Sequence, residues 1–193
     1  MSDLEILDWR GLSEFYYNNM FKKKEIADGS CYFHAIADSF YKKYQLGQVN
    51  KIDFIKKLRK DLSIKLDDKI YNKLSRGKLY EYSKGMPEFK LENMKKLLDS
   101  SEYVDNRFNE FISNLFNKDI YILNEKDRDV YITGRDDDIL YKHRESIVII
   151  WNGTNHYDLV GILSEDKFET LFDSNHPFIL YIKNRINDKL KIV

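Results

Sequence analysis

The sequence has 193 residues, 42% hydrophobic and 33% charged, with 12 Phe and 14 Tyr; it can bury about 70% of its unfolded surface, and this composition excludes a disordered chain. Lys plus Arg and Asp plus Glu both total 32, a formal net charge of zero, which argues against a chain built mainly to grip nucleic-acid phosphates or an anionic membrane. One cysteine rules out an internal disulfide and a multi-cysteine zinc site, and fits a reducing compartment. Met1 to Trp9 lack the n-region and h-region of a signal peptide, and no apolar run reaches membrane-spanning length. The expectation is a soluble, cytoplasmic protein with a single domain over 1–193 and with neither nucleic acid nor membrane among its partners.

Residues 1–24 carry Leu12, Phe15, Tyr16 and Met20 and predict one or two short helices, ending in a solvated basic run, Lys22-Lys23-Lys24. Asp28, Gly29 and Ser30 are turn and N-cap residue types, and Phe33, Ile36, Ala37, Phe40 and Tyr44 then recur at helical spacing, predicting a helix over 31–44. Ile52, Ile55, Leu58 and Leu62 mark a lysine-rich surface helix over 51–63, and a second helical stretch carries Ile70, Tyr71 and Leu74. Gly77 and Gly85-Met86-Pro87 punctuate the chain before a helix with Met94, Leu97 and Leu98. The strongest helical pattern is 105–116, with Phe108, Phe111, Ile112, Leu115 and Phe116 on one face. Strands are predicted at 119–123, 129–133 and 146–151, with a turn at 134–138, and Asn152-Gly153 turns the chain into a returning strand over 156–162. Residues 165–172 read as helix, and His176-Pro177 opens a last helix with Phe178, Ile179, Ile182 and Ile186 on one face.

A lone cysteine is most often a small buried hydrophobe. Cys31 differs because it opens a helix, where the unpaired N–H groups favour thiolate, the form that attacks a carbonyl. Of the four histidines, His34 shares the cysteine's helix, His143 sits in a charged segment and His176 looks like a cap. His156 begins a strand directly after a tight turn, from which its side chain can project toward the cysteine helix. That pairing is the arrangement of papain-like thiol hydrolases. Asp158 lies two residues on, on the same strand face, and reads either as the carboxylate that orients the imidazole or as the partner of a turn amide. It is expected at a strand edge near solvent, with Asn155 the other candidate for the orienting role. Asp28 either caps the cysteine helix or belongs to a loop whose N–H groups meet an oxyanion; the two roles are compatible.

Asp28-Gly29-Ser30-Cys31-Tyr32-Phe33-His34-Ala35-Ile36, together with Asn155-His156-Tyr157-Asp158, resembles the ovarian tumour (OTU) family of cysteine proteases. Its pattern is Asp-Gly-x-Cys, an aromatic or apolar pair, and a later His-Tyr followed by an acid or amide. Tyr103-Val104-Asp105, opening the Phe-rich helix, and the strand that follows are similar to the family's middle block. The resemblance spans about 25–163; it departs at Tyr32, where leucine is commoner, and at His34, where arginine is often found.

The resemblance implies an α+β, papain-like OTU cysteine protease fold: a small central β-sheet flanked by helices, a helical insert over about 50–100 and a helical C-terminal extension over 164–193. It implies a deubiquitinase that uses no metal or organic cofactor, with Cys31 as nucleophile, His156 as base, Asp158 as orienting acid and Asp28 in the oxyanion loop. Its partners would be ubiquitin, polyubiquitin chains or ubiquitinated proteins. The alternatives are a protease for another ubiquitin-like modifier and a ubiquitin-binding module with a weak site. The Lys-, Asn- and Ile-rich composition with 2 Pro fits an AT-rich genome, such as that of a large DNA virus or an intracellular bacterium, and hence action in a host cytoplasm.

Overall fold

In Ser146–Trp151 every residue but the last is buried, which is the signature of a strand covered on both faces. Ile147 and Ile149 join one apolar cluster, whereas Val148 and Ile150 join a second cluster across the sheet, as the two-residue period of a strand requires. This strand lies near the middle of the sheet in a computed structural model that describes residues 3–132, 137–165 and 167–191.

Among these residues the strands are β1 (Leu4–Ile6), β2 (Met20–Lys23), β3 (Asp119–Asn124), β4 (Asp129–Val130), β5 (Ser146–Trp151), β6 (Tyr157–Ser164), β7 (Lys167–Glu169) and β8 (Leu171–Phe172). Their order is β1-β2-β6-β5-β3-β4, with β7 added to β6 and β8 to β5. β3 and β5 run parallel, with Ile122 opposite Ile149, and the other pairs are antiparallel. The helices are α1 (Cys31–Phe40), α2 (Lys42–Gln45), α3 (Lys51–Lys65), α4 (Asp68–Tyr71), α5 (Leu79–Gly85), α6 (Leu91–Leu98), α7 (Asn109–Phe116), α8 (Asp137–Leu140) and α9 (Pro177–Lys191).

One face of the sheet packs Phe33 and Ile36 of α1, Ile55 and Leu62 of α3, Met94 and Leu98 of α6 and Phe111 and Ile112 of α7 against Ile120, Ile122, Ile147, Ile149 and Leu159. The other face packs Trp9, Phe15 and the apolar stripe Phe178, Ile179 and Ile182 of α9 against Tyr121, Leu123, Val148, Ile150 and Val160. Local chemistry sets the helix ends. The Asn50 side chain caps α3 by accepting from Asp53 N–H, and α7 stops at Asn117 in the left-handed conformation. His176 Nδ1 accepts from Phe178 N–H at the start of α9.

Several expected elements are corrected. Residues 1–24 are not helical: β1 and β2 form an antiparallel pair, and Met20 is buried because β2 lies against β6. The basic run is not a solvated face either, since Lys22 is buried against Glu125 and Lys23 pairs with the buried Asp38. The 164–193 extension is not all helix. Residues 167–169 and 171–172 are β7 and β8, extending the sheet from β6 and β5, and only α9 is helical. The 31–44 helix is broken at Tyr41, whose backbone is extended. The 129–133 strand narrows to β4, and positions 133–136 of that strand and of the turn after it lie outside the described residues.

Parallel pairing of β3 with β5 requires a crossover, and one buried carboxylate fastens its return. Asp119, fully buried, accepts from the N–H groups of Lys142 and Arg144 and from Arg144 Nε at 2.6 Å. Asp119→Ala leaves Arg144 without its carboxylate, holding only the neutral acceptors Ser113 O, Asn114 Oδ1 and Leu140 O, and breaking such a buried pair costs about 3–5 kcal/mol. Urea unfolding should show a loss of that size, larger than for Lys118→Ala, which removes an ion pair to the exposed Glu145.

Candidate active site

The segment before α1 makes a turn that glycine alone permits. Gly29 has φ +84°, and a Cβ there would lie 2.0 Å from the Ser101 carbonyl oxygen. Asp28 folds under this turn: its Oδ1 accepts from Ser30 N–H at 2.8 Å and its Oδ2 from His34 Nε2 at 3.0 Å. His34 is fully buried, and its Nδ1 meets the Tyr44 hydroxyl. Burial lowers the His34 pKa against the pull of Asp28, so the ring is neutral, with Nε2 donating to Asp28 and Nδ1 accepting from Tyr44 O–H. Burial pushes the Asp28 carboxyl up, but the hydrogen bonds from His34 and Ser30 outweigh it and hold the carboxyl below its usual range.

From the other side Arg59 of α3, 1% exposed, donates to Ser30 Oγ at 2.7 Å and to the Gly29 carbonyl at 3.4 Å. Its remaining donors reach the carbonyls of Leu97, Leu98 and Glu102. Burial brings this guanidinium down to about 10, with Asp28, Cys31 and Glu102 opposing the fall, so it stays charged at neutral pH. Neither His34 nor Arg59 belongs to the expected site. A signal for Arg59 existed: it falls between Ile55 and Leu62 on the buried face of a helix read as lysine-coated, while Ile52 of the expected apolar stripe is exposed.

Cys31 follows as the first residue of α1 and is 1% exposed. Its Sγ accepts from Tyr157 N–H at 3.3 Å and lies 4.0 Å from the Asn155 carbonyl oxygen. His156 stands one residue before β6, not within it as expected, and its Nε2 donates to Asp158 Oδ1 at 2.9 Å. Its pKa is raised to about 10 by the hydrogen bond with Asp158 and then by that with Cys31, against the opposing effect of burial. Since Asp158 occupies Nε2, Nδ1 is the nitrogen that faces the sulfur. The hairpin holding His156 is fixed by Asn152, whose Oδ1 accepts from the N–H groups of Thr154, Asn155 and His156.

The structure therefore brings Cys31, His156 and Asp158 together, with Asp28 beneath the loop that precedes the sulfur. Asp158 is not near solvent at a strand edge: it is 6% exposed, on an interior strand, and also accepts from Glu25 N–H at 2.8 Å. The Asn155 side chain turns to the Thr154 hydroxyl, so of the two orienting candidates only Asp158 bonds to the ring. His143 is exposed and His176 caps α9. Tyr157 stacks on Tyr103 at 5.8 Å between ring centroids and meets Tyr32 edge-on, giving the sulfur an aromatic wall. Among the described residues no three His, Cys, Asp or Glu side chains gather into a group that could hold a metal ion.

Chemically, a thiol beside an imidazole whose far nitrogen is on a carboxylate can form a thiolate and imidazolium pair, a nucleophile with its proton donor attached. No family model and no curated protein matches the sequence. Among solved structures, an ovarian tumour (OTU) domain in complex with ubiquitin is similar at TM-score 0.58 and 18% identity, over 88% of this chain and 83% of that one. The OTU domain of OTUD1 matches at TM-score 0.46 and 16% identity, over 74% of this chain and 85% of its own. An OTU deubiquitinase from Wolbachia pipientis matches at TM-score 0.47 and 17% identity, over 76% and 91%. The first likeness shows the fold: this chain has the α+β architecture of an OTU domain.

Because its pKa is raised, His156 adds stability in full below about 6.5, its unfolded value, and that contribution is lost as pH climbs through about 10. NMR titration of the imidazole should show a midpoint near 10 that falls toward about 6.5 in Asp158→Ala. A wild-type midpoint near the unperturbed value would show that Asp158 and Cys31 do not stabilise the imidazolium.

Proposed function

We propose that this chain is a deubiquitinase that hydrolyses the bond after the C-terminal glycine of ubiquitin, acting in a reducing compartment such as the cytoplasm. The observation that carries the reading is the Cys31, His156 and Asp158 set in hydrogen-bonded order at the start of α1. The OTU fold supports it, as does the ubiquitin bound to the similar OTU domain.

The thiolate of Cys31 attacks the glycine carbonyl carbon, and the electron pair moves to the carbonyl oxygen. The N–H of Cys31, at the open end of the helix, is placed to meet that charge. Collapse of the tetrahedral species expels the lysine amine, which takes its proton from His156 Nδ1. Water then attacks the thioester carbon, giving a proton to His156; the C–S bond breaks with its electron pair returning to the Cys31 sulfur, and ubiquitin leaves with a free carboxylate. Asp158 holds the ring in the tautomer that keeps Nδ1 toward sulfur and stabilises the imidazolium. A protease for another ubiquitin-like modifier would use the same steps, and a binding module would use none of them.

Ubiquitin carrying a C-terminal thiol-reactive group decides between catalysis and mere binding. Intact-mass measurement should show one adduct on wild type and none on Cys31→Ala, with the folded state of each checked; no adduct on folded wild type would favour the binding module. A probe built on a different ubiquitin-like modifier, tested alongside, identifies the tag. On diubiquitin, His156→Ala should cost about 10²–10⁴-fold in rate, and Asp158→Ala should cost more than Asn155→Ala, with Asp158→Asn between wild type and Asp158→Ala. If Asn155→Ala proves the more damaging, the orienting role assigned to Asp158 fails.

A further inference from the structure

We propose that His34 is a positioning residue for the reaction: through Asp28 it locks the turn that leads into Cys31, with Tyr44 as the anchor behind it. The inference rests on the hydrolase reading above and adds to it a relay, buried at Tyr44 and His34 and partly buried at Asp28, that runs from Tyr44 O–H to His34 Nδ1 and from His34 Nε2–H to Asp28 Oδ2 and ends at Ser30 N–H.

Three observations carry it. Both nitrogens of a fully buried ring are engaged, so the ring orientation is fixed from two sides. Both oxygens of Asp28 are also occupied, one by a backbone N–H of the turn and one by His34. The relay joins separate pieces of chain, since Tyr44 lies on α2 beyond the break at Tyr41 while Asp28 lies ahead of α1.

The physical need is electrostatic. Asp28 carries a negative charge a few residues from the sulfur and from the carbonyl oxygen that gains charge during attack. Left to rotate, its carboxylate could face that oxygen and oppose it, and it would compete for the N–H groups that should stabilise it. Held by His34 and Ser30, the carboxylate is turned under the loop. A neutral histidine suits the task because it donates to Asp28 at one nitrogen and accepts from Tyr44 at the other, which neither a lysine nor an arginine can do.

The test is steady-state hydrolysis of a ubiquitin C-terminal fluorogenic amide by wild type, Asp28→Ala, His34→Ala, His34→Gln and the Asp28→Ala/His34→Ala double variant. Alongside run iodoacetamide alkylation of Cys31, which develops no oxyanion, and hydrogen exchange of the Ser30 amide. His34→Ala should lower kcat about 10- to 100-fold at unchanged KM, the scale of a misplaced catalytic geometry. Alkylation should be unaffected. His34→Gln, whose amide can donate to Asp28, should recover most of the loss, and the double variant should be no slower than Asp28→Ala alone, because one interaction is removed in both. Should His34→Ala fold poorly, Tyr44→Phe keeps the ring packing and should still lower kcat, by a smaller factor. Ser30 amide protection should drop in His34→Ala whether or not the wild type hydrolyses ubiquitin, which separates this inference from the activity it builds on. Unchanged Ser30 protection, multiplicative losses in the double variant, or an equal loss of alkylation and turnover would each overturn it.

Discussion

The hydrogen bond from the Tyr157 amide to the Cys31 sulfur joins residues 126 positions apart, and the geometry of the site follows from the packing that makes it possible. It requires the start of α1 to rest on the start of β6. That in turn requires the apolar face of α1, with Phe33 and Ile36, to sink into the cluster containing Ile149 and Leu159. Hydrophobic burial brings the two segments together but does not choose an orientation. Orientation comes from polar contacts: Asn152 gathers the amides of the turn before His156, and Asp28 with Arg59 grips the turn before Cys31. The strong but non-directional force sets the distance, and a few hydrogen bonds set the angles.

Charge in the site is arranged so that the imidazolium is surrounded by partners that want it. Asp158 and Cys31 both raise the pKa of His156, which burial alone would lower. Two neighbouring groups are shifted by burial in their own right. Glu25, whose N–H serves Asp158, has its own carboxyl raised to about 9 by burial and then by Asp38, so at neutral pH it stays protonated. Arg59 is charged but gives its donors to carbonyls and hydroxyls. Its positive charge is therefore spread over neutral dipoles, and Cys31 is among the groups that help keep the guanidinium protonated.

The parts of this architecture that were legible in the sequence are those with long periodic patterns or paired motifs. The buried run 146–151, the start of a helix at Cys31, the Phe-rich helix before β3 and the stripe of α9 announce themselves over six or more residues. β1, β2, β7 and β8 have two to four residues each, too few for a period of two to separate from noise. β2, β7 and β8 pair along the open flanks and ends of β5 and β6, and β1 adds to β2. The basic run misled because Lys22 and Lys23 find buried or half-buried carboxylate partners far along the chain, a contact that composition cannot show. That Cys31, His156 and Asp158 meet in space was legible because their residue types and spacing form a paired motif. Asp158 was expected in solvent because strand position says nothing about which strands will cover it.

Arg59 shows why the helical insert is more than an appendage to the site. Its guanidinium ties the end of α6 and the segment after it, through Leu97, Leu98 and Glu102, to Gly29 and Ser30. The same segment supplies the Ser101 carbonyl that forbids a side chain at residue 29. The turn that presents Cys31 is thus built half from its own residues and half from the insert. A shift of α3 or α6 along its axis moves the carbonyls that Arg59 holds, and because Arg59 also holds Ser30, the turn must follow or the buried cation loses its partners. Leaving a buried charge unpaired is costly. The insert and the turn before Cys31 are therefore held to move as one body, while His34 fastens the opposite side of that turn to α2. Any contact made on the insert is therefore mechanically continuous with the turn that carries the Cys31 sulfur.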